Sequence, residues 1–412
     1  MNVTITDIRQ AQRRCDDEAV VRQTPIETSR TLDDAVGATV RLKMEHLQRT
    51  GSFKTRGAYN KLAKLTGSSA TATGVVAASA GNHAQGVALA ATKAGFDSTI
   101  VMPRNAPQAK IDATADYGAD VTLHGKTFRE AMDHAKTLVD DESVFVHAYD
   151  DPEIVAGQGT IGLEILSQVP DVDTVIVPIG GGGLIAGIAT VIDELAPETR
   201  LVGVQADGAA TVPQSLQKGE PQSVESVQTI ADGIATGGIA PLTYDIIRDR
   251  VDDVLTVSDT AIAENVLFLL ERTKQMIEGA GATTIAALRS DQLDIEGDTV
   301  VPVLSGGNLS MTDLQTVLTH GLSHRDQLVR LRVHIRDQPG EMSRISAIIA
   351  EHGANIFDVS HERAATELGV GNAYLQFRIE TSGVDQTERI IDSIRDRGYD
   401  VSYRSQCPSV EA

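Results

Sequence analysis

The sequence predicts an α/β protein of two open α/β layers, followed by a smaller ferredoxin-like module of βαββαβ order. The first observation is an alternation of β-branched runs with longer Ala-rich stretches, which begins near Gly74 and restarts near Thr174. The second is a change in the order of predicted elements after residue 322, where the pattern indicates four strands and two amphipathic helices. The 412 residues also exceed the usual size of one domain, so two or three domains are expected.

The first layer consists of three strand–helix pairs. In chain order these are 75–78 with 81–94, 98–102 with 108–117, and 121–123 with 127–139. The second layer has the same character and comprises segments 174–178, 183–195, 201–205, 261–278 and 299–304. Gly95 and Gly118 stand where two of the helices should end, as C-terminal glycines do.

The C-terminal module is preceded by the polar stretch 323–327, which we predict to be a linker. The module consists of strand 328–335, helix 341–352, strands 355–363 and 373–380, helix 385–397 and strand 399–404. We therefore predict a main domain at 1–322, with a smaller α/β subdomain nested at about 55–150, the linker 323–327, and a terminal domain at 328–405.

Charge and cysteine usage exclude several classes of protein. The formal net charge is −21, so phosphate backbones are repelled and nucleic acid is not an expected partner. No apolar run is long enough to span a bilayer and the first residues are polar, so neither a membrane segment nor a signal peptide is predicted. Cys15 and Cys407 lack metal-like spacing, which favours the cytoplasm. The excess of acid without any tryptophan suggests adaptation to high salt.

Lys54, in the stretch Gly51-Ser52-Phe53-Lys54-Thr55-Arg56-Gly57-Ala58, is the candidate for chemistry. A lysine amine condenses with an aldehyde to form a Schiff base, which is how proteins hold pyridoxal phosphate. On local context alone, a lysine is a solvated surface charge. Three further segments favour the chemical interpretation because together they suit one cofactor site: Ser79-Ala80-Gly81-Asn82-His83, Gly180-Gly181-Gly182-Gly183 and Ser305-Gly306-Gly307-Asn308.

The four glycines lie between the strand ending at Pro178 and the helix that follows, where backbone N–H groups converge on a phosphate. A tight strand-to-helix turn is the plain structural alternative. A dinucleotide site is a sharper rival, because segment 181–186 fits the loose glycine fingerprint and Asp207 follows the next strand. That hypothesis leaves Lys54 and Asn82 without a role.

Segment 79–83 also joins a strand to a helix. Its exposed N–H groups suit a substrate carboxylate, and the Asn82 amide can donate to a ring hydroxyl. The alternative is a plain helix cap by Ser79 or Asn82, and His83 by itself is more typical of helix packing than of a base. Ser305 follows the strand 299–304, so its hydroxyl can point from a strand end into a cleft, although alone it is an ordinary turn serine.

These motifs, in this order, resemble those of the threonine dehydratases (threonine ammonia-lyases), which are fold-type II pyridoxal-phosphate enzymes. The resemblance runs from about Thr6 to Leu322. The remainder, with Asp337-Gln338-Pro339-Gly340 and Gly353-Ala354-Asn355-Ile356, resembles an ACT domain, a regulatory module that often binds amino acids. The resemblance implies a catalytic domain with pyridoxal phosphate in the cleft between its two layers.

The resemblance also implies a role for each motif. Lys54 would form the Schiff base, Phe53 would pack beside the cofactor ring, and Ser305 would face the pyridine nitrogen. The ring hydroxyl would bond to Asn82, and the phosphate would bind Gly180, Gly181, Gly182, Gly183 and Leu184. The substrate carboxylate would be cradled by Ser79, Ala80, Gly81, Asn82 and His83.

Two departures from a related enzyme, serine racemase, narrow the activity. The racemase needs a serine directly before the Gly-Asn of the asparagine loop as a second acid, and here that position is Ala80. Gln205 and Thr211 stand where a divalent-cation site would have carboxylates, so no metal is predicted. The competing hypotheses are a serine or threonine racemase, a β-replacing synthase and a non-catalytic amino-acid sensor. The intact Lys54 argues against the sensor.

The expected activity is conversion of L-threonine to 2-oxobutanoate and ammonia, with L-serine as a poorer substrate. A branched-chain effector, isoleucine or valine first, is expected near Pro339, Gly340 and Asn355 at an interface between two ACT modules. A homo-oligomer, dimer or tetramer, follows because a ferredoxin-like module leaves a sheet face or edge to be paired. Isoleucine biosynthesis and threonine breakdown both remain open as roles.

Overall fold

A computed structural model of the chain describes residues 3–67, 72–224 and 226–405. The chain divides into two compact units, Met1–Leu309 and Ser310–Ala412. Cys407 lies outside the described residues. Within the described ranges, no helix has the length and apolar character needed to cross a membrane.

The first unit alternates strands with helices. Its strands are β1 (Ile26–Thr28), β2 (Thr39–Lys43), β3 (Gly74–Ala78), β4 (Asp97–Met102), β5 (Asp120–Leu123), β6 (Ser143–Phe145), β7 (Thr174–Pro178), β8 (Arg200–Ala206), β9 (Asp253–Val257) and β10 (Thr299–Pro302). Its helices are α1 (Ile5–Arg14), α2 (Arg30–Val36), α3 (Lys54–Thr66), α4 (Asn82–Ala94), α5 (Gln108–Asp116), α6 (Phe128–Thr137), α7 (Pro152–Gln168), α8 (Gly183–Leu195), α9 (Val212–Lys218), α10 (Pro241–Arg250), α11 (Asp259–Arg272) and α12 (Gly279–Leu288).

The strands form two sheets, as the predicted pair of α/β layers requires. The larger sheet has the order β1-β2-β10-β7-β8-β9 and is parallel except for β1. The smaller sheet, β5-β4-β3-β6, is parallel throughout. The predicted fold class is therefore confirmed. Ligand sites in such sheets lie beyond the carboxyl ends of the strands, which is where β3, β7 and β10 lead into the predicted motifs.

Three helices approach one another closely at glycines. A Cβ added to Gly157 of α7 would lie 2.5 Å from the Cα of Gly57 in α3. A Cβ added to Gly187 of α8 would lie 2.5 Å from the backbone nitrogen of Gly159, also in α7. Because α3 begins at Lys54 and α8 begins at the glycine-rich turn, these backbone contacts set the distance between the two halves of the predicted site.

One predicted helix, 261–278, is wrong in its extent. The helix α11 ends at Arg272, and Lys274 then adopts a left-handed φ of 60°, which ends the helical path. A new helix, α12, begins at Gly279 with Glu278 as its extended N-cap residue. The break brings Glu278 out of a predicted helix and places it at the edge of the cavity described below.

The second unit contains α13 (Met311–His324), β11 (Leu328–Arg336), α14 (Glu341–Glu351), β12 (Asn355–Glu362), β13 (Asn372–Glu380), α15 (Val384–Asp396) and β14 (Asp400–Ser405). The sheet order is β12-β13-β11-β14, with antiparallel neighbours, so the predicted ferredoxin-like βαββαβ module is confirmed. The helix α13 groups with this unit, although the predicted main domain extends to residue 322. The limits 1–322, 323–327 and 328–405 stay a prediction.

Candidate active site

A cavity of about 440 Å³, part of it open to solvent, lies where the two layers of the first unit meet. All the predicted cofactor residues line it, together with several that sequence reasoning missed. The lining residues are Phe53, Lys54, Asn82, Tyr149, Pro178, Gly180, Gly181, Gly182, Gly183, Leu184, Gly233, Ile234, Thr236, Glu278, Ala280 and Ser305.

Lys54 is the first residue of α3, and within the described residues its amine bonds to one backbone carbonyl. Its Nζ donates to the Ala148 carbonyl at 3.3 Å and lies 5.0 Å from the centre of the Phe53 ring. Burial lowers the pKa of Lys54 to about 8, against an opposing attraction from Glu278. The N-terminus of a helix also disfavours a cation. The amine is therefore largely able to give up its proton near neutral to mildly alkaline pH.

The turn that carries Ala148 is organised by His147. Its Nδ1 accepts hydrogen bonds from the backbone N–H groups of Tyr149 at 3.3 Å and Asp150 at 2.8 Å. Burial lowers the pKa of His147, as suits a ring nitrogen that acts as an acceptor. The ring of Tyr149 meets the His147 ring edge-on, with centroids 4.7 Å apart, and so projects into the cavity.

The glycine-rich turn joins β7 to α8 and lies against Tyr149. Gly182 has a φ of 87°, which only glycine adopts readily, and no side chain caps the N-terminus of α8. A Cβ on Gly181 would lie 2.3 Å from carbons of the Tyr149 ring, so side chains are excluded there. Thr243 donates to the Gly181 carbonyl at 2.8 Å and fixes the turn. The first N–H groups of the helix are thus left for an anion.

Asn82, the first residue of α4, is held by two residues of the larger layer. Its Nδ2 donates to Oε1 of Glu278 at 2.8 Å, and its Oδ1 accepts from Nδ2 of Asn308 at 2.8 Å. Burial raises the pKa of Glu278 to about 7, with the hydrogen bond from Asn82 opposing the rise. The Asn308 amide also donates to the Thr50 carbonyl at 2.6 Å.

Ser305 follows β10 and is 2% exposed. Its carbonyl accepts from the Phe53 backbone N–H at 3.2 Å, and the next residue, Gly306, forms a bridge with Ser52. The two motifs are therefore tied together through their backbones, although 250 residues separate them along the chain. This explains why both reach the same cavity.

The other residues of segment 79–83 are not among those that line the cavity. Ser79 accepts a hydrogen bond from the Gly81 N–H at 3.1 Å, and His83 bonds to the Val146 carbonyl at 2.9 Å. Burial lowers the pKa of His83 to about 3, so this ring is a neutral packing residue. The alternative of a helix cap by Ser79 or Asn82 is wrong, because Gly81 is the N-cap residue of α4 and no side chain caps it.

Comparison with known proteins decides between the hypotheses for this cavity. Residues 18–306 match the family model described as "Pyridoxal-phosphate dependent enzyme", and residues 329–398 match that of the ACT domain. The chain belongs to the pyridoxal-phosphate dependent enzymes. Its cofactor is pyridoxal phosphate, and the dinucleotide hypothesis is set aside.

Relatives of this enzyme match over both the whole chain and the first unit. An L-threonine ammonia-lyase of Thermotoga maritima is 43% identical over 97% of this chain and 99% of its own length. Threonine deaminase isoform 2 of Solanum lycopersicum is similar in structure, with a TM-score of 0.72, 37% identity and coverage of 76% of this chain and 87% of its own. Maize serine racemase is equally similar, with a TM-score of 0.73, 36% identity and coverage of 79% and 100%.

The cavity of this pyridoxal-phosphate enzyme fits the cofactor chemically. The uncapped N-terminus of α8 suits the phosphate, and the deprotonatable amine of Lys54 suits the aldehyde. The Ser52 hydroxyl, two residues before Lys54, is buried and has no hydrogen-bond partner in the part of the chain that the structure describes. It is therefore an unsatisfied buried donor next to the lysine motif.

Gln205 stands at a position where a racemase-like cation site would have a carboxylate, and both ends of its amide are bonded to nearby backbone groups. Gln205 accepts from the Val212 N–H at 2.8 Å and donates to the Ala209 carbonyl at 3.2 Å. The Gln205 side chain therefore offers the turn an N–H donor, whereas a carboxylate would offer two oxygen ligands. Thr211 is also buried there. The sequence prediction of no metal rests on the same two residues.

The predicted effector residues lie at two different ends of the ACT sheet. Gly340, with a φ of 98°, is the N-cap residue of α14 and follows Pro339 after the end of β11. Asn355 begins β12 and donates to Glu380 at 3.2 Å, at the end of the sheet where β11 starts. One module therefore does not bring these residues together.

Proposed function

We infer that the enzyme is a threonine ammonia-lyase, which converts L-threonine to 2-oxobutanoate and ammonia. The observation that carries this proposal is the amine of Lys54, which lines the same cavity as the uncapped N-terminus of α8. The names of the relatives support the choice of threonine as substrate and of ammonia as product.

The predicted site residues have proposed roles toward cofactor and substrate: Phe53 would pack beside the cofactor ring, and the segment 79–83 would cradle the substrate carboxylate. Lys54 would hold the cofactor covalently, and the turn from Gly180 to Leu184 would hold its phosphate. Asn82 would donate to the ring hydroxyl, and Ser305 would face the ring nitrogen. When bound, pyridoxal phosphate supplies an electron sink for negative charge at the substrate Cα.

Lys54 would act as the general base. Once the amine of threonine has displaced Lys54 from the cofactor, the freed neutral Nζ would take the proton from the Cα of threonine. The β-hydroxyl would then leave with a proton, so that the hydrogen lost from Cα and the hydroxyl lost from Cβ together make up the released water. Loss of water leaves an enamine, which tautomerises and is hydrolysed to the ketoacid and ammonia. The low pKa of the amine supports this role, because a lysine of ordinary pKa is almost fully protonated at neutral pH.

The Ser305 hydroxyl favours elimination over longer-lived chemistry at Cα. A carboxylate at this position would hold the ring nitrogen protonated, whereas a neutral hydroxyl does not. The sink is then weaker, and negative charge at Cα is relieved by prompt loss of the hydroxyl. Transamination is disfavoured because it needs a longer-lived negative charge at Cα.

Ala80 separates the proposed lyase from a racemase, which the overall fold does not do because a serine racemase is equally similar. The methyl group of Ala80 carries no proton to return to the opposite face of Cα. L-Serine has the same β-hydroxyl as threonine and is proposed as a poorer substrate. D-Serine should therefore be a negligible product beside pyruvate.

The test is ketoacid release from L-threonine and L-serine by the holoenzyme, with chiral analysis of the remaining serine. Rapid 2-oxobutanoate formation, slower pyruvate formation and no D-serine support the proposal. D-Serine as the main product would replace it with a racemase, and absence of all ketoacid would reject it.

We further propose that the ACT domain binds isoleucine or valine between two modules of a homo-oligomer in the cytoplasm. The separation of Gly340 from Asn355 within one module supports a site shared by two. Truncation after Ser323 tests regulation: a truncated enzyme that stays active but no longer responds to these amino acids supports it. A full-length enzyme indifferent to both would leave the module only a structural role.

A further inference from the structure

Glu278, Asn82 and Asn308 form a chain of hydrogen bonds whose two ends are both oxygen acceptors. At one end the Asn308 amide nitrogen donates to the Thr50 carbonyl at 2.6 Å, and it also donates to Oδ1 of Asn82 at 2.8 Å. At the other end Nδ2 of Asn82 donates to the Glu278 carboxylate at 2.8 Å. The Thr50 carbonyl only accepts, so Asn308 must turn its nitrogen toward Thr50 and Oδ1 of Asn82, which leaves Nδ2 of Asn82 to face an oxygen of Glu278.

The fixed direction of these hydrogen bonds prevents the Asn82 amide group from rotating by 180°. In the reversed orientation its oxygen would face the carboxylate oxygen of Glu278, and its NH₂ group would face the NH₂ group of Asn308. Both contacts are repulsive. Asn82 therefore keeps its nitrogen beside the cavity, where one of its two hydrogens goes to Glu278 and the second remains for a ligand.

The carboxylate itself has little room to move. A Cβ on Gly306 would lie 2.4 Å from Oε1 of Glu278, and one on Gly233 would lie 2.8 Å from the same atom. The Glu278 backbone N–H donates to the Gly306 carbonyl at 3.0 Å, so the main chain is held as well. Glu278 is 8% exposed.

We propose that Glu278 is a positioning residue that locks the Asn82 amide with an N–H group presented to the cofactor. Glu278 acts through Asn82, while Asn308 holds the same amide from its other side. The proposal rests on the proposed function only in taking Asn82 as a cofactor ligand. It assigns a role to an acid that no predicted motif contains.

The experiment measures the dissociation constant of pyridoxal phosphate for the apoprotein, by absorbance and fluorescence titration. Glu278→Leu removes the acceptor and should weaken binding about 10- to 100-fold, the usual range for a lost hydrogen bond to a charged group. Glu278→Gln keeps an acceptor oxygen and should stay within about threefold of wild type. Asp232→Asn is the matched control, because it removes a nearby carboxylate that contacts Lys110 at 3.6 Å and makes no bond to Asn82.

A second variant keeps the test independent of folding at position 278. Asn308→Asp replaces the amide donor that faces Oδ1 of Asn82 with an acceptor, so this hydrogen bond can no longer form in its present direction. The substitution should weaken cofactor binding about tenfold. Melting curves of each apoprotein identify variants that fail to fold. Unchanged cofactor affinity in a folded Glu278→Leu or Asn308→Asp protein overturns the proposal. Loss of affinity in Asp232→Asn as well would also overturn it, since charge alone would then be responsible. Ketoacid assays of the wild type test the proposed function separately.

Discussion

Two lysines eleven residues apart, Lys43 fully buried and Lys54 partly buried, differ in how completely their amines are bonded. Lys43 donates to the Thr24 carbonyl at 2.8 Å, to Glu164 at 2.6 Å and to Gln168 at 2.8 Å. Lys54 has one backbone acceptor at 3.3 Å. Burial lowers the pKa of both amines, so a lowered pKa does not by itself mark a reactive lysine. What separates them is that every proton of Lys43 has a partner.

The surroundings of Lys43 form a buried ionic cluster centred on Arg56. Its guanidinium donates to both oxygens of Glu45 at 2.8 Å and to Glu164 at 2.6 and 3.0 Å. It also bonds to Thr160 at 3.1 Å. Arg56 lies only two residues after Lys54, so this cluster anchors the start of α3 while the amine of Lys54 stays outside it, bonded to the Ala148 carbonyl. The first turn of α3 thus carries both Arg56, which stabilises the fold, and the reactive Lys54.

The largest expected effect comes from Lys54→Met. Covalent anchor and base are lost together, so turnover of threonine should fall at least about 10³-fold and the absorbance of the bound cofactor should disappear. The melting temperature of the apoprotein should stay the same or rise, because an amine with one long hydrogen bond is replaced by an apolar group. Near-normal turnover would contradict the assignment of Lys54.

The same substitution at the other lysine should have the opposite pattern. Lys43→Met leaves Glu164 and Gln168 short of a donor, and the free energy of unfolding should fall by about 3 kcal/mol. The absorbance of the bound cofactor at saturating pyridoxal phosphate should be retained. Denaturant titration measures the loss of stability. A denaturant midpoint equal to that of wild type would show that the bonds of Lys43 do not stabilise the fold.

The pH dependence of cofactor capture sharpens the contrast further. Because the pKa of Lys54 is lowered to about 8, the neutral amine accumulates as pH rises through that value. The rate of cofactor attachment to the apoprotein should therefore rise between pH 6 and 9 and then level off, whereas an ordinary lysine would keep rising beyond about pH 10. In Glu278→Gln the midpoint should fall, since the carboxylate favours the ammonium. No plateau below pH 10 would show that Lys54 has an ordinary pKa.

The smallest effect concerns one hydrogen bond of the cluster. Thr160→Val removes an acceptor of Arg56 without changing the side-chain shape and should lower the free energy of unfolding by about 1 kcal/mol. Thr190→Val is the matched control, because the buried Thr190 hydroxyl bonds only to a helix carbonyl, that of Ala186 at 2.9 Å. Equal losses in the two variants would mean that the bond to Arg56 adds nothing.

The reactive lysine was predictable from sequence, whereas the structural one was not. Lys54 lies in a local motif whose companions are glycine-rich turns, and such turns are recognisable because a strand ends and a helix begins there. The bond from Lys43 to Glu164 spans 121 residues, and nothing in the periodicity of either segment indicates the partner. Buried ion pairs become visible only when the fold is known.

Glu278 and Tyr149 escaped prediction for different reasons. Glu278 ended a segment with the pattern of one long helix, and the left-handed residue Lys274 that interrupts the helix carries no glycine signal. Tyr149 follows a short strand, and it reaches the cavity because His147 bonds two successive backbone N–H groups. Turns held by a side chain in this way have weak sequence signatures.

The glycine contacts between α3, α7 and α8 also limit how this enzyme can change over time. At most packed positions a larger side chain can be offset by a smaller one opposite, but a Cβ on Gly157 would meet the backbone of Gly57, and one on Gly187 would meet the backbone of Gly159. Neither glycine opposite has anything left to remove, so no second substitution there can restore the fit. Gly157 and Gly187 are therefore closed to side chains, and we expect changes of substrate preference to arise in the loops around the cavity instead.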